Sequence, residues 1–196
     1  IAVVQAPGEG EAQASYMASS EMVYAAASQD YDCLMFKAPK LIQNLSLARK
    51  RKTVSGYREV FPQMIELKSV LHELEINQEQ LICLGILCGT DYNPGGVKGL
   101  GPKKSLKFVK EHKTKEKIFE SVEKSEKFIL DFDWVAIYNE IENPSLDKKV
   151  KIEFPKIDKD KIKKILLNHE FREERIDNQL LKLDEVIDRK KQKTLF

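Results

Sequence analysis

Residues 95–105 of the 196-residue chain are GGVKGLGPKKS, and this stretch decides the fold of the segment around it. Its glycines permit tight turns and let backbone N–H groups approach an anion closely. Pro102 suits the first position of a helix, and a helix N-terminus attracts anions. Lys103 and Lys104 add positive charge. We therefore expect a helix-hairpin-helix (helix–two-turn–helix) element with an anion site at its hairpin.

The backbone of duplex DNA is the anion that fits this element best, held without readout of the bases. An ordinary glycine-rich turn is the alternative, but the glycine spacing, the proline and the lysines agree on phosphate binding. Eight lysines lie between Lys98 and Lys117, whereas residues 1–36 contain no Lys or Arg. Two solvated faces would explain this charge pattern equally well. The residues expected to contact DNA are Gly95, Gly96, Lys98, Gly99, Gly101, Lys103 and Lys104.

Upstream of this element, short apolar runs alternate with helical patterns, which indicates an α/β sheet with ligands at the carboxyl ends of its strands. The expected strands are residues 1–5, 22–28, 41–47 and 63–67, with a helix at 9–20 and a basic hairpin tip at 49–59. After residue 67 the pattern becomes mostly helical, at 77–89, 103–111, 114–122, 158–167 and 172–190. Trp134, Tyr138 and Ile141 lie at helical spacing and are expected in the core.

Five acidic residues follow these strand and helix ends. Glu9 and Glu11 are two residues apart, as are Asp30 and Asp32, so each pair converges only at a helix entry or in a loop. Capping explains either pair taken singly. Asp91 follows an apolar helix, and if the three segments meet, five carboxylates repel one another unless cations neutralise them. Hard oxygen ligands select Mg²⁺ or Mn²⁺, and two such ions can hydrolyse a phosphodiester. This convergence is a hypothesis.

Three segments resemble the flap endonuclease family, and its archaeal members in particular. They are APGEGEAQASYM (6–17), SQDYDCLMF (28–36) and GTDYNPGGVKGLGPKK (89–104). The resemblance is strongest over residues 1–110, whereas residues 112–190 match mainly as a helical pattern. Members of this family are structure-specific 5′ nucleases that remove 5′ flaps during replication and repair. The resemblance implies the C-terminal part of a PIN-like, Rossmann-like nuclease sheet, followed by the helix-hairpin-helix and a mostly helical region.

The resemblance also implies site roles. Carried over by motif, the catalytic and metal-binding residues are Glu9 and Glu11 at the first of two Mg²⁺ (or Mn²⁺) ions, and Asp30, Asp32 and Asp91 at the second. A K⁺ ion would be held at the hairpin by main-chain oxygens of Gly96, Val97 and Leu100. The DNA partner would be a flap or nicked duplex. Residues 1–90 would form the metal-binding part, 91–190 the DNA-binding and helical region, and 191–196 a clamp-interaction tail.

This sequence differs from the family pattern in two places. The family's N-terminal part carries the first sheet strand, two further Asp ligands and a helical arch, and no segment here matches it. We therefore expect an N-terminal half, as a separate chain or a missing segment, to complete the first metal site, with little or no cleavage by this chain alone. The tail RKKQKTLF (189–196) starts the family's sliding-clamp peptide through Gln192, Leu195 and Phe196. A plain basic terminus is the alternative.

Two classes of function remain open from the sequence. The leading one is a Mg²⁺-dependent flap endonuclease, and the alternative is a non-catalytic module that binds duplex DNA and contacts the clamp. No apolar run is long enough to span a membrane, and three cysteines without a CxxC pair indicate reduced, buried thiols. The expected location is the cytoplasm of an archaeal cell, at the nucleoid. Arg49, Lys50, Arg51 and Lys52 either touch DNA or form a solvated hairpin tip.

Overall fold

The computed structural model describes residues 2–45, 50–54 and 56–192, with the side chains of Arg51 and residues 187–192 excepted. These residues fall into two compact units. Residues 5–150 form the larger unit, and residues 2–4 and 151–192 belong to the smaller. All five acids of interest and the glycine hairpin lie in the larger unit.

The larger unit contains a small mixed sheet and a separate hairpin. Its strands are β1 (Ala26–Ala27), β2 (Lys40–Gln43), β3 (Lys50–Thr53), β4 (Gly56–Glu59) and β5 (Gln63–Glu66). β1 pairs with β2 in parallel, and β2 pairs with β5 antiparallel, with Leu41 opposite Ile65. The prediction that residues 63–67 return beside 41–47 is confirmed. The basic segment between them forms a hairpin of its own, because β3 pairs antiparallel with β4.

Three strand predictions were wrong or too long. Residues 2–5 form no strand with any other described residue, so the expected strand at 1–5 is not found there. The strand expected at 22–28 is reduced to β1. Met22 and Val23 donate their N–H groups to the Met17 carbonyl at 3.0 and 3.3 Å, so they close the preceding helix instead of joining the sheet. β2 ends at Gln43 because Asn44 adopts a left-handed conformation with φ of 58°.

The helices agree with the sequence pattern. In the larger unit they are α1 (Gly10–Ser19), α2 (Asp32–Met35), α3 (Leu67–Leu74), α4 (Gln78–Cys88), α5 (Pro102–His112), α6 (Lys115–Glu123) and α7 (Trp134–Glu142). In the smaller unit they are α8 (Lys159–Asn168) and α9 (Glu173–Gln192). The predicted helices at 77–89, 103–111, 114–122 and 158–167 are confirmed. The last helix continues two residues beyond the predicted end at residue 190.

Helix α4 is the central scaffold of the larger unit. It begins with a reciprocal capping box, in which the Gln80 N–H donates to Asn77 Oδ1 at 2.8 Å and the Asn77 N–H donates to Gln80 Oε1 at 3.0 Å. The Gln80 amide also donates to the Val109 carbonyl at 2.8 Å, which ties α4 to α5. Ile82 and Leu87 are fully buried. The segment that follows α4 therefore leaves from a fixed point.

Helices α6 and α7 pack together through aromatic side chains. The Phe119 and Trp134 rings are stacked with centroids 4.2 Å apart. Tyr138 and Ile141 are buried on the same face of α7. The prediction that Trp134, Tyr138 and Ile141 contribute to the core is confirmed, although Trp134 keeps part of its surface exposed.

Ion pairs connect the two helices of the smaller unit. Lys163 on α8 contacts Glu173 at 2.9 Å and Asp177 at 2.8 Å on α9. Ile176 on α9 is buried. Among the described helices of both units, none is long and apolar enough to cross a membrane.

Candidate metal centre and anion-binding hairpin

The first acidic pair lies where the chain enters α1. Glu9 occupies the N-cap position with extended backbone, φ of −72° and ψ of 134°, and Glu11 lies in the first turn. The backbone changes from extended to helical between them, so the two side chains are not forced to opposite sides as they would be within a helix. Ser15 anchors this turn, since its hydroxyl donates to the Glu11 carbonyl at 2.7 Å.

The second acidic pair lies at the carboxyl end of β1. The Ser28 N–H continues the sheet by donating to the Ile42 carbonyl at 3.2 Å. The Ser28 hydroxyl then accepts the Asp30 N–H at 3.0 Å. Asp32 is the first residue of the short helix α2. The loop is thus fixed on both sides of Asp30.

Asp91 leaves the end of α4 in a closed turn. Asn93 Oδ1 accepts hydrogen bonds from the Thr90 hydroxyl at 2.7 Å and the Thr90 N–H at 3.2 Å. The Asn93 amide donates to the Ile86 carbonyl at 2.7 Å, which binds the turn back onto the helix. Both Thr90 and Asn93 are buried, so the direction in which Asp91 leaves the turn is set by interior contacts.

The three acidic segments meet. Carboxylate oxygens of Glu9, Glu11 and Asp32 all lie within 4.8 Å of one another. Asp30, Asp32 and Asp91 line a single cleft of about 630 Å³. Asp30 and Asp91 are also close enough to raise the pKa values of both Glu11 and Asp32. The structure therefore brings together all five acids that the sequence singled out.

The electrostatics of this group suit cations. Burial and then the charges of Glu11, Glu9, Asp91 and Asp30 raise the pKa of Asp32 from 3.8 to about 6. Burial also raises the pKa of Glu11, against the lowering effect of its hydrogen bond from Ser28. Among the described residues, no ion pair involves any of the five acids. A set of carboxylate oxygens without a basic partner fits hard divalent cations such as Mg²⁺ or Mn²⁺.

Two hydroxyl groups in this cluster escaped the sequence analysis. The Tyr92 hydroxyl donates to Glu9 Oε2 at 2.7 Å, and the Ser28 hydroxyl donates to Glu11 Oε1. Burial and the Glu9 contact raise the pKa of Tyr92, so it remains a donor. The sequence does contain a signal for them, because each hydroxyl residue lies within two positions of a predicted metal-binding acid, in SQDYD (28–32) and TDYN (90–93).

The glycine hairpin is clamped to the end of α4. The Val97 N–H donates to the Leu87 carbonyl at 3.0 Å, and the Leu100 N–H donates to the Val97 carbonyl at 3.1 Å. Val97 and Leu100 are buried, so the hairpin packs its apolar side chains inward. Gly96 adopts φ of +60°, a left-handed conformation that favours glycine. Gly101 caps α5, and Pro102 takes the first helical position as predicted.

The hairpin lysines are not equivalent. Lys98 is ion-paired with Asp131 at 2.9 Å, and its carbonyl accepts the Ile129 N–H at 3.4 Å. Lys103 and Lys104 are exposed in the first turn of α5 and form no ion pair within the described part of the chain. Two of the three predicted DNA-contacting lysines are therefore free of an acidic partner.

Other predicted contact residues lie at the border of the described structure. Gln192 ends α9, and Leu195 and Phe196 fall outside the described residues. Arg49 also falls outside them, whereas Lys50 and Lys52 are exposed on β3. The predicted roles of these residues stay predictions.

Comparisons with known proteins agree with this architecture. The fold is of the PIN-like α/β nuclease class, with acids at the edge of the sheet and a helix-hairpin-helix beside them. Residues 1–91 match the family model described as the XPG I-region. Among solved structures, a flap endonuclease-1 from Methanococcus jannaschii superposes with a TM-score of 0.79 at 34% identity, over 97% of this chain and 55% of that one. The catalytic core of Rad2 in complex with DNA substrate shares the fold, with a TM-score of 0.71 at 21% identity over 92% of this chain and 64% of that one.

Sequence relatives identify the family. The chain is 46% identical to flap endonuclease 1 of Thermococcus onnurineus over 100% of its own length and 56% of that protein. It is 45% identical to flap endonuclease 1 of Staphylothermus marinus over 92% of its own length and 51% of that protein. The chain belongs to the flap endonuclease family. It spans about half the length of the curated relatives it matches.

Proposed function

We propose that this chain supplies the acidic centre and the duplex-binding hairpin of a structure-specific 5′ flap endonuclease, which cleaves phosphodiesters of 5′ flap DNA in replication and repair. The observation that carries this proposal is the meeting of Glu9, Glu11 and Asp32 within 4.8 Å. Asp30 and Asp91 border the same group. Relatives called flap endonuclease 1 support the same activity.

The five acids would hold two divalent cations, Mg²⁺ or Mn²⁺, with Glu9 and Glu11 serving the first and the three aspartates the second. A bound pair of such ions supplies activation of water and stabilisation of the leaving oxygen of a phosphodiester. The part played by this chain is to hold the carboxylates close together in fixed loops. The turn at residues 90–93 and the anchored loop at 28–32 perform that task.

The hairpin would hold the backbone of a flap or nicked duplex. Backbone N–H groups of Gly95, Gly99 and Gly101 would approach phosphates, and Lys103 and Lys104 would add charge at the N-terminus of α5. Gly96 was also expected to contact DNA, but it is buried and its N–H donates to the Asn93 carbonyl at 3.0 Å, so it shapes the turn instead. Main-chain oxygens of Gly96, Val97 and Leu100 would hold a K⁺ ion at the same place. Contacts of this kind do not read the base sequence. Because they are made to charged phosphates, the affinity for DNA should fall steeply as the salt concentration rises.

Each of three consecutive segments of the chain would have its own role. Residues 1–90 would provide the metal-binding part, 91–190 the DNA-binding and helical region, and 191–196 a weak contact with a sliding clamp. Full cleavage would need the family's N-terminal half, since the relatives are about twice as long as this chain. The protein would act at the DNA of an archaeal cell, in the cytoplasm.

Two measurements on the 196-residue chain test the proposal. Calorimetric titration with Mg²⁺ and with Mn²⁺ should show binding that Asp30→Ala and Asp91→Ala weaken. A flap substrate should be cut when the chain is mixed with the N-terminal half of the Thermococcus onnurineus relative, and barely by the chain alone. Duplex binding without any metal binding or cleavage would instead identify a non-catalytic DNA-binding module. Efficient cleavage by the chain alone would contradict the need for an N-terminal half.

A further inference from the structure

Each glutamate of the first acidic pair accepts a hydrogen bond from a neutral hydroxyl. Tyr92 donates to Glu9 from 83 residues away, and Ser28 donates to Glu11 from 17 residues away. Neither donor belongs to the segment that carries the glutamates. Tyr92 is next to Asp91, and Ser28 is two residues before Asp30. The two hydroxyls therefore connect the glutamate segment to each of the other two acidic segments.

Neighbouring hydrogen bonds fix the orientation of both donors. The Ser28 oxygen accepts the Asp30 N–H at 3.0 Å, so its own proton is directed elsewhere, toward Glu11. The Tyr92 backbone N–H donates to the Thr90 hydroxyl at 3.2 Å, within the turn that Asn93 binds to α4. The ring of Tyr92 thus reaches Glu9 from a fixed base.

A neutral donor suits a cation site better than a basic one. Lys or Arg at either position would form an ion pair with the glutamate and would compete with a metal ion for its charge. A hydroxyl orders the carboxylate while leaving its full negative charge available. Ordering matters here because a glutamate side chain loses rotamer freedom when it is fixed, and because four neighbouring carboxylates repel it.

We propose that Ser28 and Tyr92 are positioning residues that hold the Glu9 and Glu11 carboxylates in converging directions before divalent cations bind. This inference rests on the proposed metal-dependent function. It adds that part of the affinity for the first cation comes from two uncharged side chains on other loops. Donors around metal-binding groups of this type commonly change metal affinity by about 10–100-fold.

Mn²⁺ binding to the 196-residue chain tests the inference without any cleavage assay. Free Mn²⁺ is measured by electron paramagnetic resonance during titration, and urea unfolding of each variant checks that it is folded. Tyr92→Phe and Ser28→Ala should each weaken Mn²⁺ binding by about tenfold or more. Two matched variants should leave it unchanged. Tyr138→Phe removes a hydroxyl bonded to Glu142 on α7, and Ser19→Ala removes one bonded to the Tyr16 carbonyl on α1.

A second serine variant separates positioning from folding. Ser28→Thr keeps the hydroxyl and should restore most of the Mn²⁺ affinity lost in Ser28→Ala. If wild type binds Mn²⁺ and the Tyr92→Phe and Ser28→Ala variants bind it equally well, the inference is wrong while the proposed function stands. The inference is also wrong if folded Ser28→Thr binds Mn²⁺ no better than Ser28→Ala. If wild type and Asp32→Ala alike bind no Mn²⁺, the proposed function and the inference both fail.

Discussion

A Cβ atom on Gly96 would lie 2.4 Å from the carbonyl oxygen of Leu87. Backbone atoms of Cys88 and Gly89 would be almost as close, so no rotation of a flexible side chain relieves the clash. The same Leu87 carbonyl accepts the Val97 N–H at 3.0 Å. The hairpin therefore lies directly on the end of α4, and this contact fixes the distance between Asp91 and the N-terminus of α5.

Gly96→Ala should damage both the fold and duplex binding. Left-handed backbone conformations cost a non-glycine residue about 1–3 kcal/mol, and the clash with α4 adds to that cost. We expect a loss of at least about 2 kcal/mol in the free energy of unfolding in urea. Gly101→Ala is the matched control, because a Cβ there meets open space and φ is −87°. It should cost about 1 kcal/mol or less, as for alanine at an N-cap. Equal losses in the two variants would contradict the clamped hairpin.

Asp131→Asn should strengthen DNA binding. Asp131 holds the Lys98 ammonium in an exposed ion pair, and the pKa of Asp131 is lowered by that contact. Removing the acid frees Lys98 for a phosphate, so duplex affinity should rise several-fold and the slope of log K against log salt should steepen by about 1. Fluorescence anisotropy of a nicked duplex at several salt concentrations measures both. Adding Lys98→Ala to the variant should abolish the gain. If the gain persists without Lys98, its source lies elsewhere.

The helical half of the fold was predictable from local signals. A run that is apolar on almost all sides marks α4, periodic apolar residues mark α5, and the Pro102 start is visible in the sequence. The sheet was harder, because a strand depends on partners that are distant in sequence. Residues 22–28 have the composition of a strand, yet Met22 and Val23 bond to the end of α1. Residues 49–59 were expected as the tip of a hairpin, but not as the two paired strands β3 and β4, since basic residues carry little strand signal.

The sequence likewise predicted some residues of the candidate site and missed others. The five acids were visible because each follows an element end, but their meeting depends on tertiary contacts that spacing cannot show. The turn at 90–93 depends on a buried Asn93, and the Asp91 direction follows from it. Tyr92 and Ser28 were missed because their partners are the glutamates of a different segment. Lys98 was expected to contact DNA, and its ion pair with Asp131, which lies 33 residues away along the chain, was not visible in the sequence.

The three cysteine thiols should react more slowly in the folded chain than in the unfolded chain. Burial raises the pKa of Cys33 to about 11 and of Cys83 to about 12, and it also raises the pKa of Cys88, which is only half-buried. Thiolate is the reactive form, so iodoacetamide at about pH 8 should leave Cys33 and Cys83 unmodified in the folded chain while Cys88 reacts slowly. Mass spectrometry after timed quenching measures this. Unfolding in urea should expose all three, and rapid labelling of Cys83 without urea would contradict its burial.

Asp32 should make the metal-free chain less stable as pH rises. Burial and the neighbouring acids raise its pKa from 3.8 to about 6, so the folded chain holds this proton more tightly than the unfolded chain. Between those values the unfolded chain releases the proton first, and the free energy of unfolding therefore falls as pH rises and stays lower above about pH 6. Asp32→Asn should flatten this decline and should exceed wild type in stability at neutral pH in EDTA. Urea unfolding across the window measures both. Asp131→Asn serves as control, because the pKa of Asp131 is lowered and its removal cannot flatten the decline. A wild-type profile parallel to that of Asp32→Asn would show that the acids do not crowd together in solution.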